Sequence, residues 1–581
     1  MIRVSFSNKV EDSVRFNGIQ LVSLCQTLIT PHKFQLQYCD LKQEQFCTAS
    51  FQEISALTGV RRSRNRGGGG EIVGCAMAST SAPPPWKEWP HELPLRIDQV
   101  QLDNFKFLED DAFYKGLVTE CRQNAIAALT REIRCENSAI LLAGGKSSDF
   151  DLYDTDIGHC PFRQEAFFRY IFGVNEPDCV GIIDLSTKES ILLVPEQPEE
   201  YTKWCGKPHD HGWYESRFGV TLCAFTKDLH EILQKRKISQ LYTLSGMNTD
   251  SGRTTSTTAT FDQISEYKLD SESIYPILSE CRVFKTPKEV EYIRRAMLVS
   301  SQAHVYVMRH AKPGISERQL EAMFGAWCEY FGGARHNAYT CICASGPNAS
   351  ILHYGHAGRP NDRFLKDGDI LMLDMGGEYR GYATDITCAY PVNGEFTDDQ
   401  RLIFEAVLSA QRAVLAAMKP GVLWPDMHRL AEKVILQHLD TARILHNGTI
   451  EEYIEANLGT VFMPHGLGHF IGLAVHDVGG FTAEHPRRTE PGICYLRTAR
   501  VLQAGMLTSV EPGCYFIDDL LDKALADDKQ GRFLNASVLR RFRGFGGVRL
   551  EDDVLVTPDG IENFTICPRT VNDIWAVMNG K

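Results

Sequence analysis

The stretch Asp369–Tyr390, DILMLDMGGEYRGYATDITCAY, sets its apolar and polar positions in a telling order. Ile370, Leu371, Met372 and Leu373 form a short apolar run, the pattern of a buried strand. Asp374 ends that run, Gly376-Gly377 breaks it, and a second β-like run, Tyr382–Tyr390, carries Asp385. This predicts a hairpin with two carboxylates 11 positions apart (385 − 374) on opposite arms. A carboxylate beside a buried strand is costly unless a cation or hydrogen bonds compensate it. Turn amides would also satisfy both aspartates, so this stretch alone leaves the choice open.

Elsewhere the pattern predicts two kinds of domain. From about Val100 to Tyr275 helices and strands alternate: a helix over Tyr114–Arg134, a strand over Ser138–Leu142, and a hairpin of Cys179–Asp184 with Ser190–Val194 around Ser186-Thr187-Lys188. A helix over Leu229–Arg236 and a strand over Gln240–Leu244 complete an α/β domain at 100–280, which contains no GxGxxG or phosphate-loop signature. Thr286-Pro287-Lys288-Glu289 then opens a helix, with threonine as N-cap, proline in the first turn and an apolar stripe at Val290, Ile293, Ala296 and Met297. Further helices are predicted at Glu317–Tyr330, Asp399–Met418 and Trp424–Leu439. Glycine-rich β segments are predicted at Tyr339–Tyr354, Asp369–Tyr390, Met506–Phe516 and Gly546–Val556, making 281–581 an α+β domain.

Composition narrows the reading. A chain of 581 residues exceeds one ordinary core. A formal charge of −13 implies no broad basic surface for nucleic acid. No apolar run reaches the ~18–20 residues of a membrane span. The 18 cysteines form no CxxC pair and are too sparse for a disulfide scaffold, which fits reduced thiols and a cytoplasmic location. Residues 1–76 differ in character and end in an Arg/Gly-rich stretch; they read as a disordered or leader extension, with organellar targeting left open and a proline-rich linker at 77–99.

Three more segments carry candidate chemistry. Met463-Pro464-His465-Gly466-Leu467-Gly468-His469 sets two histidines in a glycine-rich turn; Val510-Glu511-Pro512-Gly513 ends a β run in a glutamate; and Val548-Arg549-Leu550-Glu551 puts Arg549 and Glu551 on one strand face. Alone, each has an ordinary structural reading: a core histidine, a turn carboxylate, a local ion pair. Together, four carboxylates and one histidine converging on one site would repel and their pKa values would rise. Two divalent cations balance them, four negative charges against four positive. Oxygen-rich ligation with one imidazole suits Mn²⁺, and less well Co²⁺ or Zn²⁺. Such a pair supports metal-assisted hydrolysis.

The order Asp374, Asp385, His469, Glu511, Glu551 and its flanking motifs resemble the pita-bread metallopeptidases, and within them the eukaryotic Xaa-Pro dipeptidase (prolidase) branch. The matching stretches include YTCICASGPNASILHYGHAG, DILMLDMGGEY, ATDITCAY, VFMPHGLGHFIGLAVHDVGG, LRTAR, VEPGCYFID and RFRGFGGVRLEDDV, with FRQEAFFRYIFGVNEP and LSGMNTDSG upstream. The resemblance runs from about residue 100 to the end. It implies an α/β N-terminal domain of creatinase/prolidase type followed by an α+β pita-bread catalytic domain, two divalent ions, a homodimer, and hydrolysis of Xaa-Pro and Xaa-hydroxyproline dipeptides.

Residue by residue, it makes Asp374 a ligand of one metal, His469 and Glu511 ligands of the other, and Asp385 and Glu551 bridges between them. His353 and His476 would hold the substrate and its carbonyl, and Arg497 would pair with the dipeptide's carboxylate. Glu511 would also relay a proton. Arg549 and His465 would support the ligands from behind, and Trp204 would close the pocket from a partner subunit. An aminopeptidase P acting on longer peptides is the alternative, countered by Arg497 and the first domain. A pita-bread binding module without chemistry is countered by the presence of all five ligands.

Overall fold

The computed structural model describes residues 102–147, 161–254, 258–356 and 358–580, with the backbone of five strands within residues 2–50. Residues 1–96 form one unit and 97–581 another. In the first, the strands pair in the order Glu11–Phe16, Ile19–Leu24, Ile2–Arg3, Gln35–Asp40, Gln45–Ser50. The remainder of the predicted leader and the whole 77–99 linker lie outside the described residues.

The second unit begins with a six-stranded mixed sheet in the order Lys268–Asp270, Gln240–Thr243, Ser138–Ala143, Val180–Asp184, Glu189–Val194, Leu222–Phe225. Its central strands are buried on both faces, which is why they read as continuous apolar runs. The predicted hairpin forms between the fourth and fifth strands of that order. Lys188 adopts φ +63°, and Asp184 Oδ1 accepts from the amides of Ser186 and Thr187 at 3.0 and 3.2 Å. Helix Asp111–Glu132 is capped by Asp110 and buries Tyr114, Leu117, Cys121, Ala125 and Leu129.

Beyond it, helix Pro287–His310 opens with the predicted Thr286/Glu289 capping box. It packs on Glu317–Gly332 and on the short strands Glu378–Tyr379 and Tyr382–Ala383. Helix Asp398–Ala417 packs on Trp424–Thr441 and on the strand pair Gly513–Tyr515 and Gly547–Arg549. The order of an α/β domain followed by an α+β domain is the one the sequence implies.

The strands are more broken than their apolar pattern predicts. Ile370–Asp374 pairs antiparallel with Thr387–Pro391, but Thr384–Ile386 leave the ladder. The Asp385 amide donates instead to Asp553 Oδ2 at 2.8 Å, and the Thr384 hydroxyl to Gly377 O at 2.9 Å. Leu507–Val510 pairs with Asp552–Val556, and Gly513–Tyr515 with Gly547–Arg549; the ladder breaks between them at Glu511-Pro512 and Leu550-Glu551. Pro512 has no amide to donate. The Glu551 amide donates across to Thr387 O at 3.1 Å. The predicted β segment over Tyr339–Tyr354 shortens to Ile342–Ser345, after which Gly346–Ser350 curl into one helical turn.

Past the second pair the chain makes an excursion closed at its neck, where the Phe516 amide donates to Gly546 O at 2.9 Å. Helices Asp518–Ala526 and Ala536–Leu539 lie within that excursion.

One ionic cluster ties the segment before the long helix to the loop carrying His476. Arg282 Nη2 lies 2.5 Å from Asp477 Oδ1, and Lys285 Nζ 3.7 Å from Oδ2, with all three side chains at most 3% exposed. Removing Asp477 takes away the carboxylate that both buried cations share. Asp477→Ala is therefore expected to destabilise the fold by about 3–5 kcal/mol, read from the shift in the urea unfolding midpoint.

Candidate active site

Each predicted carboxylate ligand stands where a strand ladder stops. Asp374 is the last residue of its strand, Asp385 lies in the gap of the facing one, and Glu511 and Glu551 flank the same break in two paired strands. His469 comes alongside through the isolated bridge between Phe470 and Thr508, with its amide on Ser509 Oγ at 3.1 Å. Two glycines permit the approach: a Cβ on Gly376 would collide with Thr384 O, and one on Gly468 with Ser509 O.

The side chains meet in one buried pocket. Asp374, Asp385, His469 and Glu551 are each less than 9% exposed, and the Glu511 side chain is 17% exposed. Donor atoms of Asp385, His469 and Glu551 all lie within 4.8 Å of one another. His469 Nε2 is 3.3 Å from Asp385 Oδ2 and 3.4 Å from Glu511 Oε1. Its Nδ1 lies 3.1 Å from Phe470 O, which can only accept, so Nδ1 carries a hydrogen and, in the neutral ring, Nε2 turns its lone pair toward the two carboxylates. A lone pair facing carboxylate oxygens is unfavourable unless a cation lies between them, so the donor set fits a metal ion.

Burial first, and the neighbouring carboxylates next, push Asp385 and Glu551 well above the usual carboxylate range. Burial also raises Glu511, against the opposing pull of His469 and Arg549.

The pocket wall holds these groups in register. Arg549, itself buried, donates through Nη2 to Asp374 Oδ2 at 2.5 Å, through Nη1 to the Tyr515 hydroxyl at 2.8 Å and through Nε to Thr387 Oγ1 at 3.1 Å. Thr387 in turn donates to Glu551 Oε2 at 2.6 Å, so Arg549 is bonded to Asp374 and reaches Glu551 through a threonine. His465 lies edge-on to Tyr515 with its Nε2 buried and unpartnered among the described residues; burial, then Arg549, lowers its pKa to about 3.

His476 stacks edge-on against His469, ring centroids 4.4 Å apart, and keeps part of its surface exposed. Burial of the rest, with His469 and His353 nearby, lowers its pKa to about 3. His353 is exposed at the rim. Arg497 feels the Glu511 charge but is paired with Asp250 of the first domain. Trp204 is 73% exposed on the short helix Tyr201–Cys205, with Lys203 over its ring.

Two members of this wall escaped the sequence reading. Tyr339 sets its hydroxyl 2.5 Å from Asp374 Oδ1 and 2.6 Å from Asp385 Oδ1, one proton between two acceptors. Asp553 accepts the Asp385 amide through one oxygen and keeps the other buried and unpartnered among the described residues. The Asp552-Asp553 pair following Glu551 was the available signal for the second; nothing local marks the tyrosine.

Residues 291–558 match metallopeptidase family M24, and residues 119–242 match the N-terminal domain of aminopeptidase P. The Xaa-Pro dipeptidase of Homo sapiens is 49% identical over 479 residues, covering 81% of this chain and 96% of the relative. A probable Xaa-Pro aminopeptidase PEPP of Phaeosphaeria nodorum is 34% identical over 74% of this chain and 89% of its own. Among solved structures, Pseudomonas aeruginosa aminopeptidase PepP superposes with TM-score 0.65 at 29% identity, covering 80% of this chain and 98% of that one.

The raised carboxyl pKa values fix the sign of a pH effect. A group that holds its proton above the ordinary range must release it when a cation favours the ionised form, so divalent-cation affinity rises with pH. Titrating chelator-treated protein with Mn²⁺ near neutral pH, in buffers of different ionisation enthalpy, is expected to show net proton release. A pH-independent affinity without proton release would contradict the arrangement. Tyr339→Phe, which removes the hydroxyl holding both aspartates, is expected to weaken cation binding by about 10–100-fold in the same calorimetric titration.

Proposed function

The chain belongs to metallopeptidase family M24, and on that basis we propose that it is a dinuclear-metal dipeptidase hydrolysing Xaa-Pro, and Xaa-hydroxyproline, dipeptides to a free amino acid and the imino acid. One observation carries the reading: four carboxylates and the Nε2 face of His469 share a buried pocket with Arg497 at its edge. The name of the human relative supports a dipeptidase over the longer-peptide activity named for relatives of lower identity.

In this reading Asp374 and Asp385 would hold one cation and His469 and Glu511 the other, with Asp385 and Glu551 contributing to both. When bound, the pair supplies Lewis acidity and a water of lowered pKa at neutral pH. The protein's side chains do the rest. Neutral His476 donates its N–H to the scissile carbonyl as negative charge gathers on the oxygen. His353 holds the substrate from the rim. Glu511 takes the proton of the attacking water and delivers it to the departing proline nitrogen.

Proline offers no amide hydrogen to bind, so recognition falls on the two chain ends. Arg497, a planar fork of donors, takes the free carboxylate. Arg549 and His465 steady the ligands from behind.

The oxygen-rich donor set with a single imidazole favours Mn²⁺ as the resident ion. All cysteines among the described residues are free thiols, which supports a reducing, cytoplasmic setting. The assembly is proposed to be a homodimer in which Trp204, exposed here, meets the partner subunit. We place the N-terminal domain at 100–280 and the catalytic domain at 281–581, the boundary falling in the last turn of helix Ile274–Val283, just ahead of the extended Phe284 and the cap Thr286.

Three measurements test the reading. Gly-Pro is expected to be cleaved by the Mn²⁺-loaded protein, and a Gly-Pro-Ala tripeptide at least tenfold less efficiently; the reverse ranking would make it an aminopeptidase P. Arg497→Ala should raise KM for Gly-Pro by about 10-fold or more, the worth of one charge-assisted hydrogen bond, with metal content unchanged. Equal loss of both would remove Arg497 from substrate recognition. Asp385→Asn should abolish turnover and lower the bound metal per chain, measured by elemental analysis.

A further inference from the structure

Arg497 has a partner of the kind it is proposed to recognise. Its Nη1 is paired with Asp250 Oδ2, while Asp250 Oδ1 accepts from Arg487 Nη2 at 2.5 Å. One carboxylate of the first domain thus spans two guanidinium groups of the catalytic domain. The turn that presents it is built for the purpose. Met247 and Thr254 form an antiparallel bridge, and the Asn248 amide donates to Arg253 O at 2.8 Å. The Gly252 amide donates to Asn248 O at 2.8 Å with Gly252 at φ +68°, a conformation glycine adopts freely. Asn248 Oδ1 accepts the amides of Asp250 and Ser251 at 2.9 and 3.0 Å, holding the aspartate at the tip.

The two arginines are held differently. Arg487 is anchored: its Nη1 donates to Cys494 O and Leu496 O at 3.1 and 3.2 Å, and its guanidinium lies 4.5 Å from the centre of the Phe481 ring. Arg497 feels the charge of Glu511 on its other side. The three side chains are 28–43% exposed, so the pairing is of modest strength and reversible.

We propose that Asp250 is a built-in occupant of the carboxylate subsite: it satisfies Arg497 until a dipeptide's C-terminal carboxylate takes its place, and it then stays docked on Arg487. The proposal rests on Arg497 receiving the substrate's C-terminus. The exchange swaps one carboxylate for another, so Arg497 is never left unpaired beside the pocket. A peptide whose C-terminus is capped as an amide brings no charge to compete and leaves the Asp250–Arg497 pair in place. The 247–254 turn thereby sets how tightly Arg497 holds a free C-terminus, from the domain that carries none of the metal ligands.

Asp250→Asn, close in shape but without the charge, tests this in the Mn²⁺-loaded full-length protein. The expected result is a fall of about two- to fivefold in KM for Gly-Pro, the range of an exposed ion pair, with kcat within twofold and KM for Gly-Pro amide unchanged. In an Arg497→Ala background the same substitution should leave KM for Gly-Pro where that background sets it, since the effect passes through the arginine. An unchanged or raised KM in the single variant, or a fall that persists without Arg497, overturns the proposal. Should the parental protein fail to cleave Gly-Pro, the dipeptidase reading falls instead. Calorimetric affinity for free proline, parental against Asp250→Asn, then still decides the exchange: tighter binding by the variant supports it and equal binding overturns it.

Discussion

Like charge held close in a dry pocket is the constraint that organises this protein. Two carboxylates about 4 Å apart repel by about 4 kcal/mol at an effective dielectric of ~20. Here Asp385, Glu511 and Glu551 gather around His469 Nε2, while Asp374 shares the Tyr339 hydroxyl with Asp385. Arg549 supplies one compensating positive charge, and the hydroxyls of Tyr339 and Thr387 supply hydrogen bonds. That is too little to neutralise the set, and the proposed cation pair would complete it. The surrounding architecture serves this arrangement. The four carboxylates sit at the ends or gaps of strand ladders, where the backbone turns its hydrogen bonds to another segment and the side chain faces inward.

The sequence made the elements legible but not their interruptions. Ile370–Asp374, Ser138–Ala143 and the Thr286-capped helix follow from apolar runs and capping chemistry, which are local. The loss of Thr384–Ile386 from the predicted second arm depends on Asp553, 168 positions away, and no local pattern encodes it. Alternation along Val548–Glu551 put Arg549 and Glu551 on one face. In the fold the strand breaks at Leu550-Glu551 and both still face the pocket, because the Glu551 amide turns to Thr387.

The candidate site shows the same division. Its charged members could be gathered from motif order, since unlike positions repeated the spacing of a known family. Tyr339 could not be, because a tyrosine near a strand start has many uses and only the folded geometry sets its hydroxyl between two aspartates. The pairing of Asp250 with Arg497 joins residues in different domains. Its two halves, a polar turn and an arginine in LRTAR, give no hint of each other when read along the chain.

The excursion after Tyr515 departs and returns through one neck, where Phe516 meets Gly546 beside the paired strands Gly513–Tyr515 and Gly547–Arg549. Glu511 and Glu551 are fixed on the inner side of that neck, so the length of chain outside it is uncoupled from their separation. Closing a loop twice as long costs only about 0.6 kcal/mol more. The exposed turn 527–529 at the tip of the excursion is therefore a natural graft point for a tag, a reporter or a new recognition module, while buried Leu521, Phe533 and Phe542 keep the rest of it packed.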